Sequence, residues 1–232
     1  MTARPMDALR ALVFDLDDTL FPEAAFVRSG FRAVADWLDQ AGILPAQDAF
    51  AAMWAAHARG ERGRIFNGLL ERCRGAAGRT SVPELVAVYR SHPPDIAFFP
   101  GMPGLLDQAK ARSLRIAVIS DGFLAAQRQK VRALQLSRWA DPILLTDQWG
   151  RPFWKPDPRA FLEVQAAFGL DPDQLVYIGD NPAKDFQAPN ALGWQTIQLV
   201  LPDQGRPGRP VAPARIRVDG VQELRALLLA PC

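Results

Sequence analysis

The stretch ALVFDLDDT, residues 11–19, decides the fold and lies close to the start of the 232-residue chain. Its first four residues are apolar and stand between Arg10 and Asp15. A short apolar run with polar neighbours predicts a buried strand, and three acids follow this run. In an open α/β sheet, ligands bind beyond the carboxyl ends of the strands, so the spacing predicts a functional site here.

The same arrangement occurs twice more along the chain. The apolar run of residues 116–119 leads into Ser120, and the run of residues 175–178 leads through a glycine into Asp180. The carboxyl ends of parallel strands meet at one edge of a sheet. We therefore expect Asp15, Ser120 and Asp180 to converge on one point.

The chain is predicted to have a two-part organisation. Strand and helix patterns alternate from residue 101 to the C-terminus, whereas residues 22–100 contain helical patterns and no convincing strand. Repeated βα units favour a doubly wound parallel sheet. We predict an α/β protein with a Rossmann-like core, residues 1–21 and 101–232, and an inserted all-helical domain, residues 22–100.

The apolar spacing also predicts the individual elements. Helices are predicted over residues 24–38, 46–58, 65–73, 81–89, 102–112, 123–134, 158–168, 182–192 and 221–229. Strands are predicted over residues 11–14, 115–120, 142–146, 175–179, 195–199 and 215–218.

The composition favours a protein without nucleic-acid or membrane partners. Its 27 basic and 25 acidic residues are interspersed and give a net charge of +2, without a long basic run. No stretch approaches the ~18 apolar residues of a membrane span, and no export segment precedes the first strand. The two cysteines, Cys73 and Cys232, cannot form a disulfide framework, which favours a reduced, cytoplasmic setting.

Asp15 and Asp17 are paired acids directly after a predicted buried strand, where uncompensated charge is costly. A divalent cation is the usual compensation, and Mg²⁺ prefers oxygen ligands such as Asp15, a backbone carbonyl and Asp180. The alternative is a strand that ends in an acidic turn, with Thr19 capping the segment that follows. Asp18 suggests no role of its own.

Three further segments carry weaker signals. Gly122 allows the backbone N–H groups after Ser120 to turn toward an anion at a helix N-terminus. Lys155 lies in WKPDP, residues 154–158, where two prolines stiffen the backbone. Asp185 is predicted in the first turn of the helix that follows Asp180, where an acid also suits the helix dipole.

Together these segments resemble the haloacid dehalogenase (HAD) superfamily, specifically its Mg²⁺-dependent phosphatases with a helical cap inserted after the first strand. The resemblance is carried by four motifs in the family's order. They are VFDLDDTL at residues 13–20, ISDG at residues 119–122, KPDP at residues 155–158, and the segment from Ile178 to Asp185.

The resemblance implies a role for each motif residue. Asp15 would be the nucleophile, Asp17 the general acid and later the base, and Lys155 the cation that offsets transition-state charge. The implied substrate-binding residues are Ser120, Asp121 and Gly122, with Thr19 fixing the turn that carries Asp17. The implied Mg²⁺ ligands are Asp15, Asp17 through its backbone oxygen, Asp180 and, directly or through water, Asp185.

The expected activity is hydrolysis of a small phosphorylated metabolite through an aspartyl phosphate, by a monomer or homodimer. The alternatives are phosphoryl transfer or phosphomutase chemistry, and a non-catalytic binding or regulatory module. The general acid Asp17 argues against a silent module and against carbon–halogen cleavage, which does not protonate an alkoxide. Residues 21–30 lack the hinge histidine usual in the sugar phosphomutases of the family.

Substrate choice is expected to depend on the helical domain. Residues 57–80 are rich in arginine, and a local excess of arginine can bind an anionic substrate beyond its phosphate. The alternative for most of these side chains is a solvated helix face. Arg64, beside Asn67 near a predicted helix start, is the best candidate for specificity. The hinges are expected at residues 21–22 and 100–101.

Overall fold

A computed structural model describes residues 8–73, 78–202, 204 and 209–229, so Cys232 lies outside the described residues. The chain divides into two compact units. The first consists of Met1–Ala24 and Ala97–Cys232, and the second of Ala25–Ile96.

The first unit is built on a six-stranded sheet in which every neighbouring pair of strands is parallel. Its strands are β1 (Ala11–Phe14), β2 (Arg115–Ser120), β3 (Ile143–Leu145), β4 (Leu175–Gly179), β5 (Gln195–Val200) and β6 (Ile216–Asp219). The strand order is β3-β2-β1-β4-β5-β6, so the chain builds outward from β1 in one direction and then in the other. The predicted α/β fold with a parallel, doubly wound sheet is confirmed.

The helices lie before, between and after these strands along the chain, with residues 25–96 in the second unit. They are α1 (Glu23–Gln40), α2 (Ala46–Ala58), α3 (Ile65–Arg72), α4 (Val82–Ser91), α5 (Met102–Ala111), α6 (Leu124–Ala133), α7 (Arg159–Phe168), α8 (Gln187–Ala191) and α9 (Val221–Leu229). Across the described ranges, no helix has the length and apolar character that a membrane crossing needs.

The centre of the sheet is the core of the first unit. All four residues of β1 are fully buried, as expected for a strand with parallel neighbours on both sides and packing on both faces. Trp194 and Tyr177 pack against Phe161 of α7 at ring distances of 5.7 and 5.0 Å. Ala11 and Val13 of β1 belong to the same buried cluster, so this packing positions β1 and β4 and the residues that follow them.

The second unit is helical and has a core of its own, which includes Phe31, Leu38, Met53 and Leu85. Helix α4 begins with a capping box, in which Ser81 accepts from the backbone N–H of Glu84 and Glu84 accepts from that of Ser81. Reciprocal caps of this kind satisfy two otherwise unpaired N–H groups at a helix start.

The prediction of a helix from residue 182 is wrong at its start, because α8 begins at Gln187. Residues 181–185 form a turn instead. The Asp185 carboxylate accepts a hydrogen bond from the backbone N–H of Asn181 at 2.9 Å. A side chain that bonds to the nearby backbone competes with helix formation, so Asp185 precedes the helix rather than lying in its first turn.

Candidate active site

The site lies where the strand order reverses, beyond the carboxyl end of β1 and between β2 and β4. Asp15 continues the pairing of β1, because its N–H donates to the carbonyl of Ile178 at 2.9 Å. Only 2% of Asp15 is exposed, and its carboxylate accepts a hydrogen bond from the ammonium of Lys155. An acid in this crevice occupies the position where open α/β sheets bind ligands.

Lys155 is surrounded by acceptors. Besides Asp15, its Nζ lies 2.8 Å from an Asp185 oxygen and 2.9 Å from the hydroxyl of Tyr177. Burial alone would lower the pKa of Lys155, but the carboxylates of Asp15 and Asp185 outweigh it and raise that pKa well above its usual value. Lys155 is therefore a permanent cation. Tyr177 was not predicted as a site residue, because its place in the apolar run of β4 indicates only a core residue.

Three carboxylates converge beside this lysine. Ligand oxygens of Asp15, Asp180 and Asp185 all lie within 4.8 Å of one another. Burial raises the pKa of Asp15 to about 6, although Lys155 opposes the shift. Burial, followed by repulsion from Asp15 and Asp185, raises the pKa of Asp180 to about 8. A set of buried, mutually repelling carboxylates fits a divalent cation with a preference for oxygen ligands.

Gly179 makes the close approach of Asp185 possible. A Cβ atom at Gly179 would lie 2.6 Å from an oxygen of Asp185, which is closer than van der Waals contact permits. The glycine at the end of β4 therefore leaves the space into which Asp185 folds back toward Lys155.

The turn after Asp15 has its own internal support. Asp18 adopts a positive φ of 54°, and its N–H donates to the carbonyl of Phe21 at 2.9 Å. Its carboxylate accepts from the N–H of Glu23 at 2.8 Å, at the start of α1. Asp18, which suggested no role in the sequence, thus caps this helix. Thr19 is fully buried in the turn, and its hydroxyl has no hydrogen-bond partner among the described residues.

The Asp17 side chain does not join the three-carboxylate cluster. One of its oxygens accepts from Lys130 at 2.6 Å and the other from Gln127 at 2.7 Å. Gln127 also donates to the hydroxyl of Ser120 at 2.6 Å. Neither of these α6 residues was predicted as a site residue. The sequence does contain a signal for them. Gln127 and Lys130 are three residues apart, which places them on one helix face, and they follow shortly after the ISDG motif.

Asp121 connects two of the motifs. One oxygen of its carboxylate accepts from the Thr146 hydroxyl at 2.7 Å and from the backbone N–H of Lys155 at 3.1 Å. The other lies 3.6 Å from the ammonium of Lys184. The Asp121 side chain therefore stabilises the segment that carries Lys155. The anion contact predicted for this motif would then be made by the backbone N–H groups after Ser120. Gly122, at φ 123°, has the conformation that such a turn needs.

Arg64 and Asn67 belong to the second unit, whereas the site residues described above belong to the first. Arg64 precedes α3 and forms an exposed ion pair with Glu71 at 3.7 Å. An exposed pair of this type contributes little to stability. Their role in substrate choice stays a prediction.

The fold and the site together define a parallel α/β protein with a buried lysine among carboxylates at the switch point of its sheet. The comparison with family models identifies it further. Residues 9–193 match the model of the haloacid dehalogenase-like hydrolases, and the chain belongs to this family. The resemblance of the four motifs to the HAD superfamily is thereby confirmed at the level of the family.

Known relatives fall into more than one class of this family. The chain is 28% identical to a phosphoserine phosphatase of Thermus thermophilus, over 93% of this chain and 98% of the relative. It is 24% identical to the (S)-2-haloacid dehalogenase 4A of Burkholderia cepacia, over 96% of both chains. A HAD-hydrolase of Bacillus subtilis bound to magnesium has a similar structure, with a TM-score of 0.67 at 18% identity, over 95% of this chain and 99% of that one.

Proposed function

We propose that this HAD-like hydrolase is a phosphatase that cleaves a small phosphorylated metabolite through an aspartyl phosphate. The observation that carries the proposal is the buried Asp15 carboxylate, held by Lys155 within a cluster of three acids. Asp17, two residues further on, supplies a second carboxylate that is not part of that cluster. The full-length similarity to a phosphoserine phosphatase supports the same reading.

In the first step, an oxygen of Asp15 attacks phosphorus and the bond from phosphorus to the ester oxygen breaks. The leaving oxygen takes a proton from Asp17, which acts as the general acid. The ammonium of Lys155 and the groups around Ser120 offset the charge on the phosphoryl oxygens. The product alcohol leaves, and the phosphoryl group stays on Asp15.

In the second step, water attacks the phosphorus of the aspartyl phosphate and gives a proton to Asp17, which now acts as the base. The bond between Asp15 and phosphorus breaks, so that inorganic phosphate is released and the Asp15 carboxylate is restored. Mg²⁺ held by Asp15, Asp180, Asp185 and the backbone oxygen of Asp17 would supply electrophilic stabilisation of the phosphoryl oxygens.

Asp17 also favours phosphate esters over 2-haloacids as substrates. A departing halide needs no proton, whereas the alkoxide released from a phosphate ester does.

We propose that the helical unit acts as a cap over substrates, with Arg64 and Asn67 contributing to their selection. We further propose that the enzyme acts in the cytoplasm on a free metabolite, as a monomer or homodimer, through phosphate release rather than mutase transfer.

The test measures phosphate release from a panel of phosphorylated metabolites, including phosphoserine, with Mg²⁺ and with a chelator. Chloride release from 2-chloropropionate is measured in parallel. Wild-type protein should release phosphate only with Mg²⁺, and the variant Asp15→Asn should not. Chloride release without phosphate release would instead assign the chain to the dehalogenases of the family. Release of neither, from a folded protein, would contradict hydrolysis of either bond type in these panels.

A further inference from the structure

Helix α6 presents two buried polar side chains that neither step of the proposed reaction uses. Gln127 is 1% exposed and Lys130 is 4% exposed, and they lie three residues apart on one helix face. Lysine is almost never buried to this extent unless its charge is paired. Here the pair is Asp17, whose oxygen lies 2.6 Å from the ammonium.

Gln127 connects Asp17 with Ser120, which is predicted to contact the phosphoryl group. Its amide nitrogen donates to Asp17 at 2.7 Å and to the hydroxyl of Ser120 at 2.6 Å. One amide group has two hydrogens, so it serves both acceptors at once. Among the described residues, the hydroxyl of Ser120 donates only over a long distance, 3.4 Å, to the carbonyl of Asp121, so its hydrogen can be donated to a ligand.

We propose that Gln127 and Lys130 are positioning residues for the second step of hydrolysis. They hold both oxygens of the Asp17 carboxylate and set its separation from the hydroxyl of Ser120. In this way they orient Asp17 to accept the proton of the water that attacks the aspartyl phosphate. The inference rests on the proposed phosphatase function.

The contacts themselves indicate the second step. Both Lys130 and Gln127 donate hydrogen bonds, so they match Asp17 as an acceptor, which is its role when it takes the proton from water. The Asp17 side chain is 20% exposed and would otherwise rotate in contact with solvent. Misplacement of a catalytic group by about 1 Å can cost about 100-fold in rate.

The experiment separates the two steps by using p-nitrophenyl phosphate, whose leaving group departs without a proton. The variants are Lys130→Met and Gln127→Met, which keep side-chain length but remove the donors. Arg128→Met is the matched control, because Arg128 lies on the exposed face of the same helix. All proteins are mixed rapidly with substrate and Mg²⁺, and p-nitrophenol is followed from the first milliseconds.

We expect both α6 variants to release one equivalent of p-nitrophenol at a rate close to that of wild type. Steady turnover should then be slower by about 100-fold, because the aspartyl phosphate persists. Arg128→Met should behave like wild type. Unchanged turnover in both α6 variants, or equal loss of the burst and of turnover in proteins that circular dichroism shows to be folded, would overturn the inference.

Failure of the proposed phosphatase function would give a different result. Wild-type protein itself would then release no p-nitrophenol, and both proposals would be contradicted.

A second measurement needs no turnover. The chain has four lysines, so labelled lysine side chains give at most four NMR signals to assign. Asp17→Asn should shift the Lys130 signal and leave that of Lys110, which bonds to the Arg138 carbonyl, in place. A Lys130 signal that does not respond would contradict the pairing on which the inference depends.

Discussion

At the residue scale, Gly179 controls whether Asp185 can reach Lys155. The substitution Gly179→Ala places a methyl group 2.6 Å from the Asp185 oxygen, so the acid or the end of β4 must move. We expect a lower melting temperature and a loss of at least 10-fold in kcat, measured by thermal unfolding and phosphate release.

The matched control for this change is Gly104→Ala in α5, where a Cβ atom meets nothing within 4 Å. Alanine is the better helix former by about 0.5–1 kcal/mol, so this variant should be as stable as wild type or slightly more stable. Equal effects of the two substitutions would show that Asp185 does not need the space beside Gly179.

The acids of the site also predict how stability depends on pH. In the folded protein the pKa of Asp15 is about 6 and that of Asp180 about 8, both above the ordinary value of 3.8. At these two groups the folded state therefore binds more protons than the unfolded chain between about pH 4 and pH 8. It follows that these two groups make the free energy of unfolding of the metal-free protein fall as pH rises through this range.

Urea unfolding at pH 5 and pH 8 with a chelator measures this dependence. Asp180→Asn should reduce the decline with pH, because its side chain does not titrate. Mg²⁺ should reduce it as well, because a bound cation favours the ionised carboxylates. A decline of the same size in wild type and Asp180→Asn would be the contrary result.

At the scale of elements, the local signals of α4 are sufficient to specify its start. Ser81 and Glu84 form the reciprocal capping box, with the Ser81 N–H donating to Glu84 at 2.8 Å. Ser81→Ala should lower the free energy of unfolding by about 1 kcal/mol, which urea denaturation can measure. Glu84→Gln keeps an acceptor oxygen and should cost less than half as much. A larger loss for Glu84→Gln would mean that the charge, and not the cap, stabilises this end.

At the scale of the whole molecule, the sheet order brings together segments that are far apart in the chain. Residues 15, 120 and 180 follow three strands that end at the same edge of the sheet, because β2 and β4 both pair in parallel with β1. At this edge Asp15 and Asp180 form a cluster with Asp185. The resulting cluster should make the stability of the first unit depend on Mg²⁺. A ligand present at 100 times its Kd stabilises the folded state by about 2.7 kcal/mol.

We expect Mg²⁺ to raise the melting temperature of wild type in a concentration-dependent manner. Asp180→Asn should lose most of this shift, whereas Asp39→Asn, which removes an exposed acid of α1, should retain it. An unchanged shift in Asp180→Asn would exclude the three-carboxylate cluster as the binding site, whatever the activity of either variant.

The sequence by itself was enough to predict the α/β fold, the strands β1, β2 and β4, and the order of the motifs that follow them. These features depend on the period of apolar residues and on residues that are neighbours in the chain, and both can be read from the sequence. The start of α8 could not be predicted so well, because the Asp185 side chain competes there with the backbone.

Only the tertiary structure decided which side chains meet. Asp17 and Lys130 are 113 positions apart, and Lys155 and Tyr177 are 22 apart. Their contacts depend on how α6 packs and on which face of β4 turns toward Lys155. Both depend on packing across the whole unit. Each buried charge there needs a partner, and no local sequence pattern specifies which residue that partner is.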